Sequence, residues 1–264
     1  MRLLRRYLER NDCLRAGKAL KPVGVMVHST GANNPWVSRY VPGDAVIGYN
    51  TAGNHWDQSN EEWKKSFGTP LNKCVHAFVG KLAGGEVGTV QTLPWDVRGW
   101  HAGSGRGNDG YVGFEICEDG LDDPGYFAQV YEEAVELTAM LCREFELDPR
   151  KEGAVICHAE GWRMGVASNH ADVLHWFSRF GKTMDDFRAD VVRELEGGEE
   201  MKREVFDAML EDWLKRQGEK ETSAWARELL ARAEEKGITD GTRPQSFATR
   251  QEVAVMLMAA LAGK

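Results

Sequence analysis

ICHAEGWRMGVASNHADVLHWF, residues 156–177, holds His158, His170, Asp172 and His175, so it carries three of the seven histidines in the chain. The run before it, Gly153-Ala154-Val155-Ile156-Cys157, is short and apolar and reads as a buried strand that delivers His158. A glycine-bearing loop then carries His170 and Asp172 back toward that strand end. Imidazole nitrogen and carboxylate oxygen are both good zinc ligands, and three protein ligands leave a fourth position open for water. The remaining ligand has to come from elsewhere in the chain.

Outward from this stretch, more strands appear. Pro22-Val23-Gly24-Val25-Met26-Val27-His28 is apolar and ends in His28-Ser29-Thr30-Gly31. Residues 75–80 and 87–93 read as two further strands, and Gly84-Gly85 between them fits a hairpin. Tyr111–Cys117 reads as a central strand in which Glu115 interrupts apolar neighbours. Asp122-Asp123-Pro124 opens a helix to about Phe145, and Thr183 caps another with Met184, Phe187, Val191 and Leu195 inward. Strands interleaved with helices around an apolar sheet make an α/β domain over residues 1–198. Residues 31–70 are polar, rich in Gly, Asn, Pro and Trp, and long enough to be a functional loop.

The flanks differ in character. Met1–Arg10 is basic and reads as a helical arm or a packed extension. After Gly197-Gly198 the charged residues 199–220 read as a helical linker, followed by a small all-α region, residues 221–264. There Ser223 is expected to cap one helix whose inner face is Trp225, Leu229 and Ala233, with Gly237 as its stop. Thr249 and Glu252 form a capping box for the second, Val253–Leu261. About forty residues hold no large core of their own, so this region is expected to dock on something.

Composition removes several classes of function. A net charge of −8 over 264 residues argues against nucleic acid as a bulk electrostatic partner. No apolar run is long enough to span a membrane. The basic start is not followed by the apolar run of a secretory signal, so the chain is expected to stay in the cytoplasm until something releases it. Five cysteines without a CxxC motif read as reduced thiols, four of them in apolar surroundings, rather than a zinc knuckle.

Among the candidates for chemistry, His28 and His158 share a strand-end position and could project from neighbouring strands of one sheet. Glu115 either points to a solvated face or acts as a general base, its pKa raised by partial burial. His170 and Asp172 are two apart, so in an extended segment both reach the same side. One of them would ligate, while a protonated His170 could donate to a developing oxyanion. His175, before Trp176 and Phe177, reads as a packing residue, and His76 as packed in the sheet. His101, in a glycine-rich loop, could touch a ligand. Cys157 alternates away from His158, which disfavours a Cys/His nucleophile.

Four motifs in order, V-x-V-H-S-T at 25–30, R-G-W-H-A-G at 98–103, V-G-F-E-I-C at 112–117 and the late histidine loop, resemble the type 2 zinc N-acetylmuramoyl-L-alanine amidases. These are related to the peptidoglycan recognition proteins and common among prophage endolysins, and the resemblance covers about residues 10–196. It implies a central mixed β-sheet flanked by helices, a Zn2+ ion, and cleavage between N-acetylmuramic acid and L-alanine of peptidoglycan. It further implies His28, His158 and Asp172 as ligands and Glu115 as the residue assisting the water, with His170 at the position of a basic residue two before the third ligand. The family's Pro-Gly after that ligand is replaced by Val173-Leu174, and the loop from His158 is longer, so His170 stands as the rival to Asp172. Trp56, Trp100 and His101 would line the substrate groove.

Residues 221–264, through Trp225-Ala226, the turn at 236–241 and Phe247-Ala248-Thr249-Arg250, resemble one S-layer homology-like repeat, which implies contact with a secondary wall polymer or homo-oligomerisation through residues 199–264; a stabilising cap on the amidase is the other reading. A non-catalytic peptidoglycan-binding protein is the alternative function, separated from the enzyme by the presence of the ligands and Glu115. A zinc hydrolase of another amide stands as the third.

Overall fold

A computed structural model describes residues 1–103 and 105–262, with the backbone alone for 198–206. The strands are β1 (Leu3–Arg5), β2 (Gly24–Ser29), β3 (Ala77–Lys81), β4 (Val87–Gln91), β5 (Tyr111–Ile116) and β6 (Val155–Cys157). The helices are α1 (Asp12–Ala16), α2 (Asn60–Phe67), α3 (Gly105–Gly110), α4 (Pro124–Glu144), α5 (His158–Arg163), α6 (Leu174–Phe177), α7 (Met184–Gly218), α8 (Arg227–Glu235) and α9 (Arg250–Ala262).

One sheet runs β1-β4-β3-β5-β2-β6, antiparallel only at the β3–β4 hairpin and parallel elsewhere. It is therefore mixed, as expected, and flanked by helices. Side-chain alternation sorts the residues of each strand between two faces. Val25 and Val27 of β2, Val112, Phe114 and Ile116 of β5, and Val155 and Cys157 of β6 join the main core. α4, α6 and α7 cover that face through Phe127, Val130, Trp176, Phe177, Phe187 and Val191. Asp123 caps α4, accepting from the backbone N–H of Gly125 and Tyr126, and Pro124 stands in its first turn, as the sequence signals.

The opposite face carries two smaller clusters. Met26, Ala102, Tyr111, Ile156 and Ala167 form one. The other includes Leu8, Val37, Tyr40, Ile47, Trp56 and Phe78. The expected loop 31–70 thus sends Val37, Tyr40, Val41, Ile47 and Trp56 into this core, with one short 3₁₀ turn at Val37–Arg39 and α2 inside it. The cysteines are free, and Cys74, Cys117, Cys142 and Cys157 are buried.

Three expectations are corrected. Of the two readings of the N-terminal residues the packed extension holds and the helix does not: Leu3–Arg5 pairs in parallel with Thr89–Gln91 as an edge strand, with Leu3, Leu4 and Leu8 packed inward. The linker is not a separate helix either, since α7 runs unbroken through Gly197 and Gly198. In the last region Trp225 and Leu229 are 82% and 61% exposed, so they do not form an inner face. Ala226, without a side-chain cap bond, precedes α8 in place of Ser223, whereas the Thr249–Glu252 box is present. By contacts the chain divides into two compact units, Met1–Glu196 and Gly197–Lys264.

Candidate metal centre

Alternation and register build the site. His28 shares the face of Met26, Glu115 that of Gly113, and His158 follows Ile156, so all three leave the sheet on the side away from α4. β2 lies between β5 and β6, with His28 paired in register with Glu115 and Val27 with Cys157. Because these strands are parallel, their C-terminal ends meet at one edge, where α/β sheets place their ligands. A cleft of about 470 Å³ opens there, lined among others by His28, Trp56, Lys73, Trp100, His158 and Asp172.

His28 Nδ1 stands 3.0 Å from His158 Nδ1 and 3.1 Å from Asp172 Oδ2, and His158 Nδ1 stands 3.6 Å from the same oxygen. Ligands about 2.0–2.1 Å from one tetrahedral zinc ion would be about 3.3 Å apart, so these donor atoms fit such an ion closely. Among the described residues, they form the group of three that could hold a metal. Of the two alternatives left open by the sequence, Asp172 belongs to this group and His170 does not. His170 is turned aside, with its Nδ1 3.0 Å from Ser168 Oγ, which stands 3.2 Å from His158 Nε2. Burial works against ionisation of Asp172, yet the adjoining imidazoles of His158 and His28 outweigh it and hold the carboxyl well below the usual range.

Glu115 is half-buried, and its Oε2 is buried with no hydrogen-bond partner. Burial first, and the charge of Asp172 second, push its pKa well above the ordinary carboxylate value. Such a group takes up a proton more readily than an ordinary carboxylate. Trp100 is exposed at the cleft with the Arg98 guanidinium 5.2 Å over its ring. Trp56 reaches the cleft but is mostly buried, edge-on to Tyr40 and Phe78. His101 lines the cleft too, but both its ring nitrogens are occupied within the protein, by His28 and by the Tyr111 carbonyl.

Two residues escaped the sequence reading. Ser168 links His158 to His170, and a serine in a glycine-rich loop gives no signal of such a role. His175 is not merely packed: it lines the cleft, its Nε2 2.9 Å from Glu118 Oε1, close but without hydrogen-bond alignment. Its aromatic neighbours Trp176 and Phe177, both fully buried, misled the reading. His76 is a structural pin, as expected: Nε2–H donates to Val97 O and Nδ1 accepts from Gly113 N–H.

Two imidazoles and a carboxylate around one point could hold a metal ion, with a second carboxylate on the next strand. The sequence pattern of the family described as N-acetylmuramoyl-L-alanine amidase matches residues 18–173, more than half of the chain, and the chain belongs to that family. No curated protein matches it. Among solved structures, the Staphylococcus aureus hydrolase AmiA in complex with its ligand is 18% identical, with TM-score 0.48, over 74% of this chain and 82% of its own. The PlyG catalytic domain is 16% identical, TM-score 0.48, over 74% and 96%. A mutant endolysin from Bacillus subtilis is 23% identical, TM-score 0.44, over 72% and 99%.

Proposed function

We propose that the chain is a zinc-dependent peptidoglycan hydrolase that cuts the amide between N-acetylmuramic acid and the L-alanine of the stem peptide, working as a phage-type endolysin. The observation that carries this is the convergence of His28, His158 and Asp172 at one sheet edge, with the unpartnered oxygen of Glu115 on the adjoining strand. Zinc bound there supplies Lewis-acid polarisation and lowers the pKa of water to about 7. Glu115 takes the proton of the attacking water, since its raised pKa matches it to that task. His170, exposed at the cleft and fixed by Ser168, donates to the oxyanion that develops on the lactyl carbonyl. The proton held by Glu115 then serves the leaving amine of L-alanine. Trp100 offers an exposed ring at the cleft for the glycan and peptide, and Trp56 forms part of its wall.

The test is digestion of purified peptidoglycan with the zinc-loaded protein and analysis of the new ends. Free L-alanine amino groups without new reducing sugar ends are expected. Intact peptidoglycan at stoichiometric zinc, or new reducing ends alone, would overturn the reading.

A further inference from the structure

We propose that His101 is a positioning residue that fixes the tautomer of His28 and so turns the lone pair of His28 Nδ1 toward the metal. The inference rests on the cluster being a zinc site and goes beyond it, because it assigns a device that makes one ligand competent. The chain of contacts runs outward from the sheet. The Tyr111 carbonyl can only accept, so His101 Nε2, 3.1 Å away, carries the hydrogen. A neutral His101 ring then presents Nδ1 as an acceptor, 2.9 Å from His28 Nε2, which must therefore carry a hydrogen of its own. That leaves the lone pair of His28 on Nδ1, the atom facing His158 Nδ1 and Asp172 Oδ2. In this tautomer His28 cannot donate to Asp172, and a base beside a buried carboxylate is satisfied by a cation. Outer hydrogen bonds of this kind set ligand orientation and basicity at metal sites.

The fold holds a socket for the ring, built by Gly113, Gly99 and Asn108. A Cβ on Gly113 of β5 would lie 2.4 Å from His101 Nδ1 and 2.5 Å from both Cε1 and Cγ, so the ring rests on bare backbone. A Cβ on Gly99 would come within 2.8 Å of Cys74 O and 3.3 Å of His101 Cδ2. Asn108 Oδ1 accepts from the backbone N–H groups of His101 and Ala102 at 2.8 and 2.9 Å, fixing the turn that carries the ring. Glycine on both sides of the imidazole and an asparagine under its backbone leave the ring one orientation.

The test uses the full-length protein and two readouts that do not depend on turnover. Zinc affinity is measured by chelator competition for wild type, His101→Phe, His101→Gln and Gly113→Ala, with circular dichroism as the check on folding. His101→Phe keeps the ring shape but loses the acceptor, and zinc binding is expected to weaken about 10–100-fold. Gly113→Ala, which displaces the ring without removing a polar group, should weaken it in the same direction. The amide of His101→Gln can accept from His28 and donate to Tyr111, and should recover most of the loss. Long-range ¹⁵N–¹H NMR of the metal-free wild type should show His28 as the Nε2–H tautomer, whether or not any variant folds. Unchanged zinc affinity in folded His101→Phe, or an Nδ1–H tautomer of His28, would overturn the inference. A wild type that shows the expected tautomer yet binds no zinc would instead defeat the proposed function.

Discussion

Glu115 is where one side chain carries most of the chemistry. In the proposed mechanism its orphan oxygen and raised pKa suit it to accept the proton, and it lies outside the group of three that could hold a metal. Glu115→Gln should therefore keep one equivalent of zinc by metal analysis and lose about 10²–10⁴ in turnover. Retained turnover would assign the proton to another group. His76 gives a pH dependence of a different kind, in stability. Burial lowers its pKa to about 4, against the hydrogen bond to the Val97 carbonyl, which favours its charged form. Unfolded histidine titrates near 6.5, so between about 4 and 6.5 the unfolded chain takes up a proton that the folded one refuses. The contribution is fully present above about 6.5 and is lost as pH falls to about 4, roughly 3 kcal/mol in all. Urea titrations at pH 4 and 7 should show a smaller pH dependence in His76→Gln than in wild type; equal dependence would remove His76 from the account.

At the scale of elements, α6 is only four residues long, yet it ties the ligand loop to the main core. Phe177 in it is fully buried against Phe127 and Tyr131 from α4 and Phe187 from α7. Phe177→Ala should cost about 3–5 kcal/mol by chemical denaturation. A cost below 1 kcal/mol would mean the loop is not anchored there. The sheet strands from β2 to β6 were legible because each is a short apolar run bounded by turn residues. Which face of β5 held Glu115 was not, because alternation defines two faces without naming the buried one. That information resides in the register of β2 with β5 and β6. The edge strand β1 was missed because three residues in a basic stretch carry no period. The helix α7 runs through the composition shift at Gly197-Gly198, since each helical glycine costs only about 1 kcal/mol.

Over the whole molecule, the amidase family pattern lies within the first unit, and no helix among the described residues is long and apolar enough to cross a membrane. Residues beyond 220 expose many large apolar side chains, with Trp225 at 82%, Phe247 at 72% and Met258 at 66%. Exposed apolar side chains of this kind suit a contact between copies of the chain, which the next measurement tests. Light scattering should find the full-length chain larger than a monomer and a chain ending at Glu196 monomeric; monomeric masses for both would assign the region another partner.

The claim on which the rest depends is that Asp172, not His170, completes the metal site with His28 and His158. Zinc content after dialysis, compared between Asp172→Ala and His170→Ala, tests it most directly. The geometry predicts that Asp172→Ala loses the metal while His170→Ala keeps close to one equivalent and loses turnover. Zinc retained by Asp172→Ala and lost by His170→Ala would contradict the account.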